Sequence, residues 1–246
     1  MARRGTNHGQ VELTFRTHGG KRPRAGRKPK GPRPGARHQT RPAHNPRHPV
    51  HVTLRVVRSA AGLRCKDMYL ALREATIVTA KREDFRIVHM SIQRDHIHMV
   101  VEAEHRKALS NGVRGFSISA ARQINKAITE RGGDRRTGRV IGERFHARPL
   151  TSPRAVRNCL AYTLANWRHH GEDRAPFARA WKVDPFSSGA LFPGWKELED
   201  SPFFWPLPPS YHPLIVFRPR TWLLRSWDRF YPLISVREVP GPEARA

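Results

Sequence analysis

Hydrophobic and polar positions follow regular spacings through the middle of the chain, and these spacings predict a folded domain. Alternation over residues 51–57 predicts a first strand, and apolar residues about one helical turn apart over 68–79 predict a helix. Alternation returns over 85–92 and 96–102, which are separated by a short polar turn. We therefore expect these two segments to form a β-hairpin.

A second half of the same domain follows the hairpin. An apolar stripe over 109–131 predicts a long helix, and 145–150 is a candidate short strand. Pro153 suits the first turn of a helix, which we expect to continue to about Arg168. The order β-α-β-β-α-β, followed by this last helix, predicts an α+β fold with a ferredoxin-like core. We place this domain at residues 49–172.

The chain is strongly basic, with 46 Lys and Arg against 20 Asp and Glu and a formal net charge of +26. Such an excess destabilises a compact chain unless a polyanion neutralises it, so nucleic acid is the expected partner. The two cysteines form no CxxC pair, which argues against a structural zinc module and a disulfide scaffold. No stretch approaches 18 apolar residues and the first residues lack an apolar leader, so we expect neither a membrane span nor secretion.

The basic charge is concentrated at the N-terminal end. Residues 1–49 contain 13 Lys and Arg but one acidic residue, together with seven Pro and seven Gly. This composition buries too little apolar surface to offset the entropy of ordering, so we predict a flexible, disordered basic arm over 1–48. The arm either lies in a minor groove of DNA or binds phosphate polymers without sequence preference. The candidate DNA-binding residues in its densest part are Arg22, Arg24, Arg27 and Lys28.

The C-terminal segment, residues 173–246, has a different composition. It holds twelve of the 21 prolines and five of the six tryptophans. Tryptophans are costly to expose in such numbers, so we expect a Pro/Trp-rich extension that packs on the core. The residues from Trp222 to Trp227 suggest one short helix within it.

Two histidines, His96 and His98, flank Ile97 on the predicted third strand. Alternation places both imidazoles on one face of the sheet, close enough to share one cation. Fourteen histidines in 246 residues make this spacing common by chance. Two surface or core histidines without a ligand are therefore the alternative interpretation.

A second candidate pair lies on the helix that follows Pro153. Tyr162 and Asn166 are four residues apart, so they share one helical face. In one interpretation Tyr162 is an amphipathic residue at the edge of the core. In the other, its phenol is a nucleophile and Asn166 offers a neutral oxygen ligand to a metal that the two histidines hold.

Taken together, these residues resemble a known family. His96-Ile97-His98 is similar to the His-hydrophobic-His signature of the HUH single-strand nucleases, and Tyr162-x-x-x-Asn166 is similar to the nucleophile helix of the single-tyrosine HUH transposases. Residues 47–53 and 143–148 resemble the family's first strand and the segment before its nucleophile helix. The family is the insertion-sequence-200-like group of transposases.

The resemblance covers residues 45–172 well and the flanks loosely. Residues 21–30 and 184–188 are similar to segments of the REP-associated tyrosine transposase branch. One departure is Asp95, which precedes the histidine pair at a position where the family is expected to have an amide or a small polar residue.

The resemblance implies a core of the HUH nuclease type and a reaction. The protein would be a transposase that cuts and rejoins single-stranded, hairpin-bearing DNA through a 5′-phosphotyrosine on the catalytic Tyr162. His96, His98 and Asn166 would hold a divalent cation, Mg²⁺ or Mn²⁺, which helps because a phenol is a weak nucleophile at neutral pH. The family also implies a monomer or homodimer, located in the cytoplasm with the bacterial nucleoid.

Further basic residues are expected to hold the DNA strand. Arg114 lies on the polar side of the long predicted helix, and Arg144 and Arg148 lead into the nucleophile helix. Phe145 or Trp167 could stack on a base. A solvated helix face is the alternative for the basic positions on the long helix.

Other classes of protein stay open at this point. A relative that binds DNA hairpins without cutting them would be expected to lack a histidine or the tyrosine, and all three are present. An arginine-rich RNA-binding or ribosomal protein would satisfy the charge but needs no Tyr-x-x-x-Asn helix facing a His-x-His strand. A metal hydrolase that uses water, with His105 as an additional ligand, would leave no covalent adduct.

Overall fold

A computed structural model describes residues 43–132, 135–200 and 207–241 of the protein. The predicted basic arm therefore lies outside the described residues up to residue 42. The strands are β1 (Val50–Arg55), β2 (Phe85–Ile92), β3 (His96–Ala103) and β4 (His146–Pro149). The α-helices are α1 (Lys66–Ala80), α2 (Arg106–Gly132), α3 (Pro153–His169), α4 (Glu197–Asp200) and α5 (Trp222–Ser226).

The four strands form one sheet in the order β2-β3-β1-β4, and each neighbouring pair is antiparallel. This strand order, with the chain order β-α-β-β-α-β, is the ferredoxin-like arrangement that the hydrophobic pattern predicts. The β1–β3 register pairs Thr53 with His98, and the β1–β4 register pairs His51 with Arg148. These two registers bring three strands together around the predicted histidine pair.

Helices cover both faces of the sheet. Helices α1 and α2 pack on one face, where Val52, Leu54, Ile97 and Met99 are fully buried. Helix α3 packs on the other face, against β2 and β3. Because side chains alternate along a strand, the residues between the apolar ones point toward α3.

Helix α3 has a well-defined start. Pro153 occupies its first turn, and the Ser152 hydroxyl accepts a hydrogen bond from the backbone N–H of Ala155 at 3.2 Å. The buried stripe of this helix, which includes Leu160 and Leu164, faces the sheet. This packing sets the distance between the middle of α3 and the strand that carries the histidine pair.

The described parts of the C-terminal segment contact the core at several points. Trp195 and Trp227 are buried in the same apolar cluster as α3. The Arg64 guanidinium donates two hydrogen bonds of 2.9 Å to the Asp184 carboxylate, and both side chains are almost fully buried. The predicted helix at Trp222 is present as α5.

Among the described residues, no helix combines the length and the apolar composition that a membrane crossing requires.

Candidate active site

His96 and His98 lie side by side on the α3 side of the sheet. Their ring centroids are 4.7 Å apart, with the rings nearly perpendicular. Ile97, between them, is buried against α1 and α2. The predicted alternation therefore places both imidazoles on one face, as the sharing of one cation requires.

His98 is buried and makes its contacts with β1. Its Nδ1 lies 3.1 Å from Nε2 of His51 and 3.3 Å from the Thr53 hydroxyl. Burial, followed by the nearby His51 and His96, lowers the pKa of His98 well below its usual value. His98 is therefore neutral at pH 7. With its proton on Nδ1 it donates a hydrogen bond to His51 or Thr53, and the Nε2 lone pair is left for another partner.

The Nε2 atom of His98 is buried and has no hydrogen-bond partner among the residues that the structure describes. A buried polar atom without a partner is uncommon and costs free energy, so it needs an explanation. A lone pair on a neutral imidazole is a ligand for a divalent transition metal.

His96 contacts the residue that departs from the family pattern. Its Nδ1 lies 2.7 Å from the Asp95 carboxylate, and this hydrogen bond to His96 lowers the pKa of Asp95. A carboxylate that accepts the proton on one imidazole nitrogen fixes the ring and leaves the other nitrogen available as a ligand. Asp95 is therefore compatible with a metal site, because it orients His96.

Tyr162 faces the histidines from α3. Its ring centroid lies 5.0 Å from that of His98 and 6.1 Å from that of His51, with the rings edge to face. The residue as a whole is only partly buried. The structure thus brings together the strand pair and the helix residue that the sequence singled out.

Asn166 lies one turn after Tyr162 and is completely buried. Neither its Oδ1 nor its Nδ2 has a hydrogen-bond partner within the described part of the chain. An amide with both polar atoms unsatisfied is costly, and a cation on the oxygen would compensate part of that cost. The donor set of two imidazoles and one amide oxygen fits a divalent cation. Within the described ranges, no cluster of three or more His, Cys, Asp or Glu residues could hold a metal ion.

Three residues near the site were not predicted. His51 and Thr53 are on β1, where their alternation with Val50, Val52 and Leu54 already separates a polar row from an apolar one. His170 directly follows α3, and its ring centroid lies 6.1 Å from that of His96. Burial, and then the nearby His96 and His169, lowers the pKa of His170.

The predicted DNA-binding residues have different positions. Arg148 lies on β4 directly opposite His51, so its side chain is on the α3 face beside the site. Arg144 is exposed just before β4. Arg114 is exposed on α2, on the opposite side of the sheet, so the structure does not bring it to the site. The basic residues predicted in the arm, Arg22, Arg24, Arg27 and Lys28, lie outside the described residues.

The suggestion that Trp167 stacks on a base is wrong. Its side chain is 1% exposed, because it continues the buried stripe of Leu160 and Leu164 on α3. Phe145 is partly buried against the core on the α1 and α2 side. Neither ring offers an open face beside Tyr162.

A ferredoxin-like sheet with two histidines on its central strand and a tyrosine on the covering helix is the arrangement that the resemblance to the HUH nucleases implies. A sequence comparison matches part of the same region. Residues 46–147 match the family model described as IS200-like transposase. This match covers 102 of the 246 residues, and it confirms the predicted resemblance to the IS200-like transposases. The matched segment includes the histidine pair and ends before α3. No curated protein matches the chain in a sequence search.

Two different kinds of protein are among the solved structures that are similar to this chain. One is a REP-associated tyrosine transposase bound to a REP hairpin, with 17% identity, a TM-score of 0.46, and coverage of 74% of this chain and 100% of that one. The other is a bacterial tRNA(His) guanylyltransferase-like protein in complex with GTP. That similarity has 15% identity, a TM-score of 0.38, and coverage of 55% of this chain and 66% of that one.

Proposed function

We propose that the protein cuts and rejoins single-stranded DNA through a covalent link to Tyr162. The observation that carries this proposal is the contact between the Tyr162 ring and the buried, neutral His98, at 5.0 Å between centroids. A phenol next to two imidazoles and an unsatisfied amide is suited to attack on a phosphodiester whose charge is neutralised locally. The transposase family of the domain agrees with this chemistry.

In the proposed step, the Tyr162 oxygen attacks the phosphorus atom in line with the departing 3′ oxygen. The new bond joins tyrosine to the 5′ phosphate of the downstream DNA, and the bond to the upstream 3′ oxygen breaks. The phenol loses a proton and the 3′ oxygen gains one, so the step consumes no proton overall. Attack by a 3′-hydroxyl on the phosphotyrosine reverses it, and this rejoining needs no nucleoside triphosphate.

His96, His98 and Asn166 are the residues that would hold a divalent cation, Mg²⁺ or Mn²⁺. When bound, the cation would polarise the scissile phosphate and stabilise charge on its oxygens. Asp95 orients His96, while His51 and Thr53 orient His98, each through the Nδ1 side of the ring. Arg148 adds positive charge next to this site on the same face.

Labelled DNA tests the covalent step. A single-stranded oligonucleotide with one hairpin, labelled at either its 5′ or its 3′ end, is incubated with the protein and Mn²⁺ and run on a denaturing gel. We expect only the 3′-labelled piece to move with the protein, while the 5′-labelled piece ends in a free 3′-hydroxyl. EDTA should abolish both products.

The alternative functions give other outcomes in the same experiment. Cleavage without an adduct would indicate a metal hydrolase that uses water. Tight binding without cleavage would indicate a protein that only recognises hairpins. Either result would overturn the proposed reaction.

We further propose that the N-terminal arm holds DNA phosphates through Arg22, Arg24, Arg27 and Lys28. Phosphate contacts release counterions, so each one adds to the salt dependence of binding. Deletion of residues 1–42 should therefore weaken binding and flatten the plot of log affinity against log salt concentration. Cleavage at saturating DNA should persist, because the arm contains none of the proposed catalytic groups. An unchanged salt slope would contradict this role.

A further inference from the structure

Trp222 is exposed, unlike the other tryptophans of the described C-terminal segment. It is 56% exposed at the start of α5, although Trp195 and Trp227 are buried. Phe230, which is 57% exposed, lies against it with ring centroids 5.8 Å apart. The packing of this segment on the core therefore leaves Trp222 uncovered. Two neighbouring exposed aromatic rings are a feature of binding surfaces.

Trp222 lines a cleft of about 560 Å³ at the edge of the domain. Arg47 and Arg220 are exposed on its walls, and the other polar residues of its lining are His48, Thr151 and Thr221. Among the described residues that line this cleft there is no Asp or Glu. An aromatic ring with two exposed arginines on the walls of the same cleft complements a base and its phosphates.

A buried carboxylate holds the wall that carries Trp222. Glu102, at the end of β3, is 5% exposed and accepts hydrogen bonds from the backbone N–H groups of Arg220 at 3.0 Å and Thr221 at 2.7 Å. Leu223 and Leu224 anchor the other side of α5 in the core. The wall is therefore fixed before any ligand arrives, which lowers the entropic cost of binding.

The cleft lies on the same face of the sheet as the candidate active site. His96, His98 and Glu102 belong to one alternating row of β3, with the histidines at one end and Glu102 at the other. Thr151, in the cleft, precedes α3, and Tyr162 follows eleven residues later. At 1.5 Å per residue, the cleft and Tyr162 are about 16 Å apart along the helix, a distance that a few nucleotides span.

We propose that the cleft is a second nucleotide-binding site, in which a base of the single-stranded DNA that flanks the cut stacks on Trp222. Arg47 and Arg220 contact the adjacent phosphates. This proposal rests on single-stranded DNA being the substrate. It assigns the cleft the task of holding the flank while Tyr162 acts on the scissile phosphate.

Affinity measurements with Trp222 variants test the proposal. Fluorescence anisotropy with a labelled hairpin carrying single-stranded flanks should show about tenfold weaker binding for Trp222→Ala. Trp222→Phe keeps an aromatic face and should bind within about twofold of the wild type. Leu191→Ala is the matched control, because Leu191 is 48% exposed but does not line the cleft. Trimming the flanks should remove the difference between Trp222→Ala and the wild type.

A crosslink separates this proposal from the proposed reaction. DNA with 5-iodouracil in the flank, irradiated with the non-cleaving Tyr162→Phe protein, should form an adduct that mass spectrometry places at Trp222. If the crosslink forms but the wild-type protein does not cleave DNA, the proposed reaction would be refuted and the proposed nucleotide-binding role of the cleft would be supported. Wild-type affinity of Trp222→Ala for flanked DNA would overturn the cleft. The cleft proposal would also be overturned if Trp222→Ala changed the oligomeric state without weakening DNA binding. In that case the surface around Trp222 would be a contact between two copies of the protein.

Discussion

The two faces of the sheet bury different kinds of side chain, although the same strands supply both. Toward α1 and α2 the strands present apolar residues that fill a continuous core, Val52, Leu54, Ile97 and Met99 among them. Toward α3, most of the intervening positions of β1 and β3 are polar, including His51, Thr53, His96 and His98, although Val100 on the same row is apolar and buried. The side chains on the apolar face form this core by packing against one another and need no additional ligand. The polar face contains buried nitrogen and oxygen atoms without partners, at His98 and Asn166.

If the proposed function holds, this difference marks where the domain gives up stability for chemistry. An unsatisfied buried polar group costs about 1–3 kcal/mol, so leucine at such a position would stabilise the fold better than an amide. Residues on the apolar face should therefore govern the free energy of unfolding, and residues on the polar face should govern catalysis. Substitutions on each face can test this separation.

The largest effect is expected at Tyr162. Tyr162→Phe removes one oxygen atom and keeps the ring that contacts His98. Adduct formation should fall by at least about 10³-fold, because no nucleophile is left. The melting temperature and the affinity for hairpin DNA should stay those of the wild type. Residual cleavage near the wild-type rate would mean that water or another side chain attacks.

The next effect is a loss of stability on the apolar face, at Gly112 of α2. A Cβ atom at Gly112 would lie 2.1 Å from Cγ of Phe85, which is fully buried on β2. Gly112→Ala should therefore lower the free energy of unfolding by about 1–3 kcal/mol in urea denaturation. Below the transition, the cleavage rate per folded molecule should not change.

Gly115→Ala is the matched control on the same helix. Nothing lies within 4 Å of a Cβ placed at Gly115. The substitution should raise the free energy of unfolding by about 0.5–1 kcal/mol, because alanine favours a helix over glycine. Equal effects of the two substitutions would contradict the tight packing of α2 on β2.

The apolar face was largely predictable from the sequence, because one strand or helix carries its own periodicity. The alternation of β1, β2 and β3 and the stripes of α1 and α2 sufficed for the order of the elements along the chain, which predicts a ferredoxin-like core. The spacings of His96 with His98 and of Tyr162 with Asn166 each left a structural alternative open, and the resemblance to the transposase family joined them into one candidate site. The burial of Trp167 could also have been predicted, since Trp167 lies seven residues after Leu160 on the same helical stripe.

The remaining parts of the polar face depend on pairing between strands and on distant contacts. His51 reaches His98 only because Thr53 lies opposite His98 in the β1–β3 register, and neither strand encodes that register alone. The ion pair of Arg64 and Asp184 joins residues 120 positions apart. No local spacing signals such contacts.

A smaller effect, opposite in sign for stability and activity, is expected at Asn166. Asn166→Leu replaces an unsatisfied buried amide by an apolar side chain of similar size. In EDTA the variant should be more stable than the wild type by about 1 kcal/mol, while cleavage with Mn²⁺ should be lost. A variant that is less stable in EDTA would show that the amide has a structural partner and would remove it from the ligand set.

The smallest effect is a pH dependence at His89, which lies on the α3 side of the sheet but away from the site. His89 is buried beside Phe192 and Ser188, and burial lowers its pKa to about 4. An unfolded histidine has a pKa near 6.5, so between these values the unfolded chain binds more protons than the folded one. Folding stability should therefore decrease as the pH falls through this window.

His89→Gln tests this linkage, because glutamine is neutral at every pH in the window. Between pH 7 and pH 5.5 the wild type should lose about 1 kcal/mol more unfolding free energy than the variant, as measured by urea denaturation at each pH. His98 and His170, whose pKa values burial also lowers, are present in both proteins and cancel in the comparison. Parallel pH profiles would show that His89 gains a proton in the folded state as readily as in the unfolded one. That result would mean that His89 is solvated in the folded protein and that burial does not disfavour its protonated form.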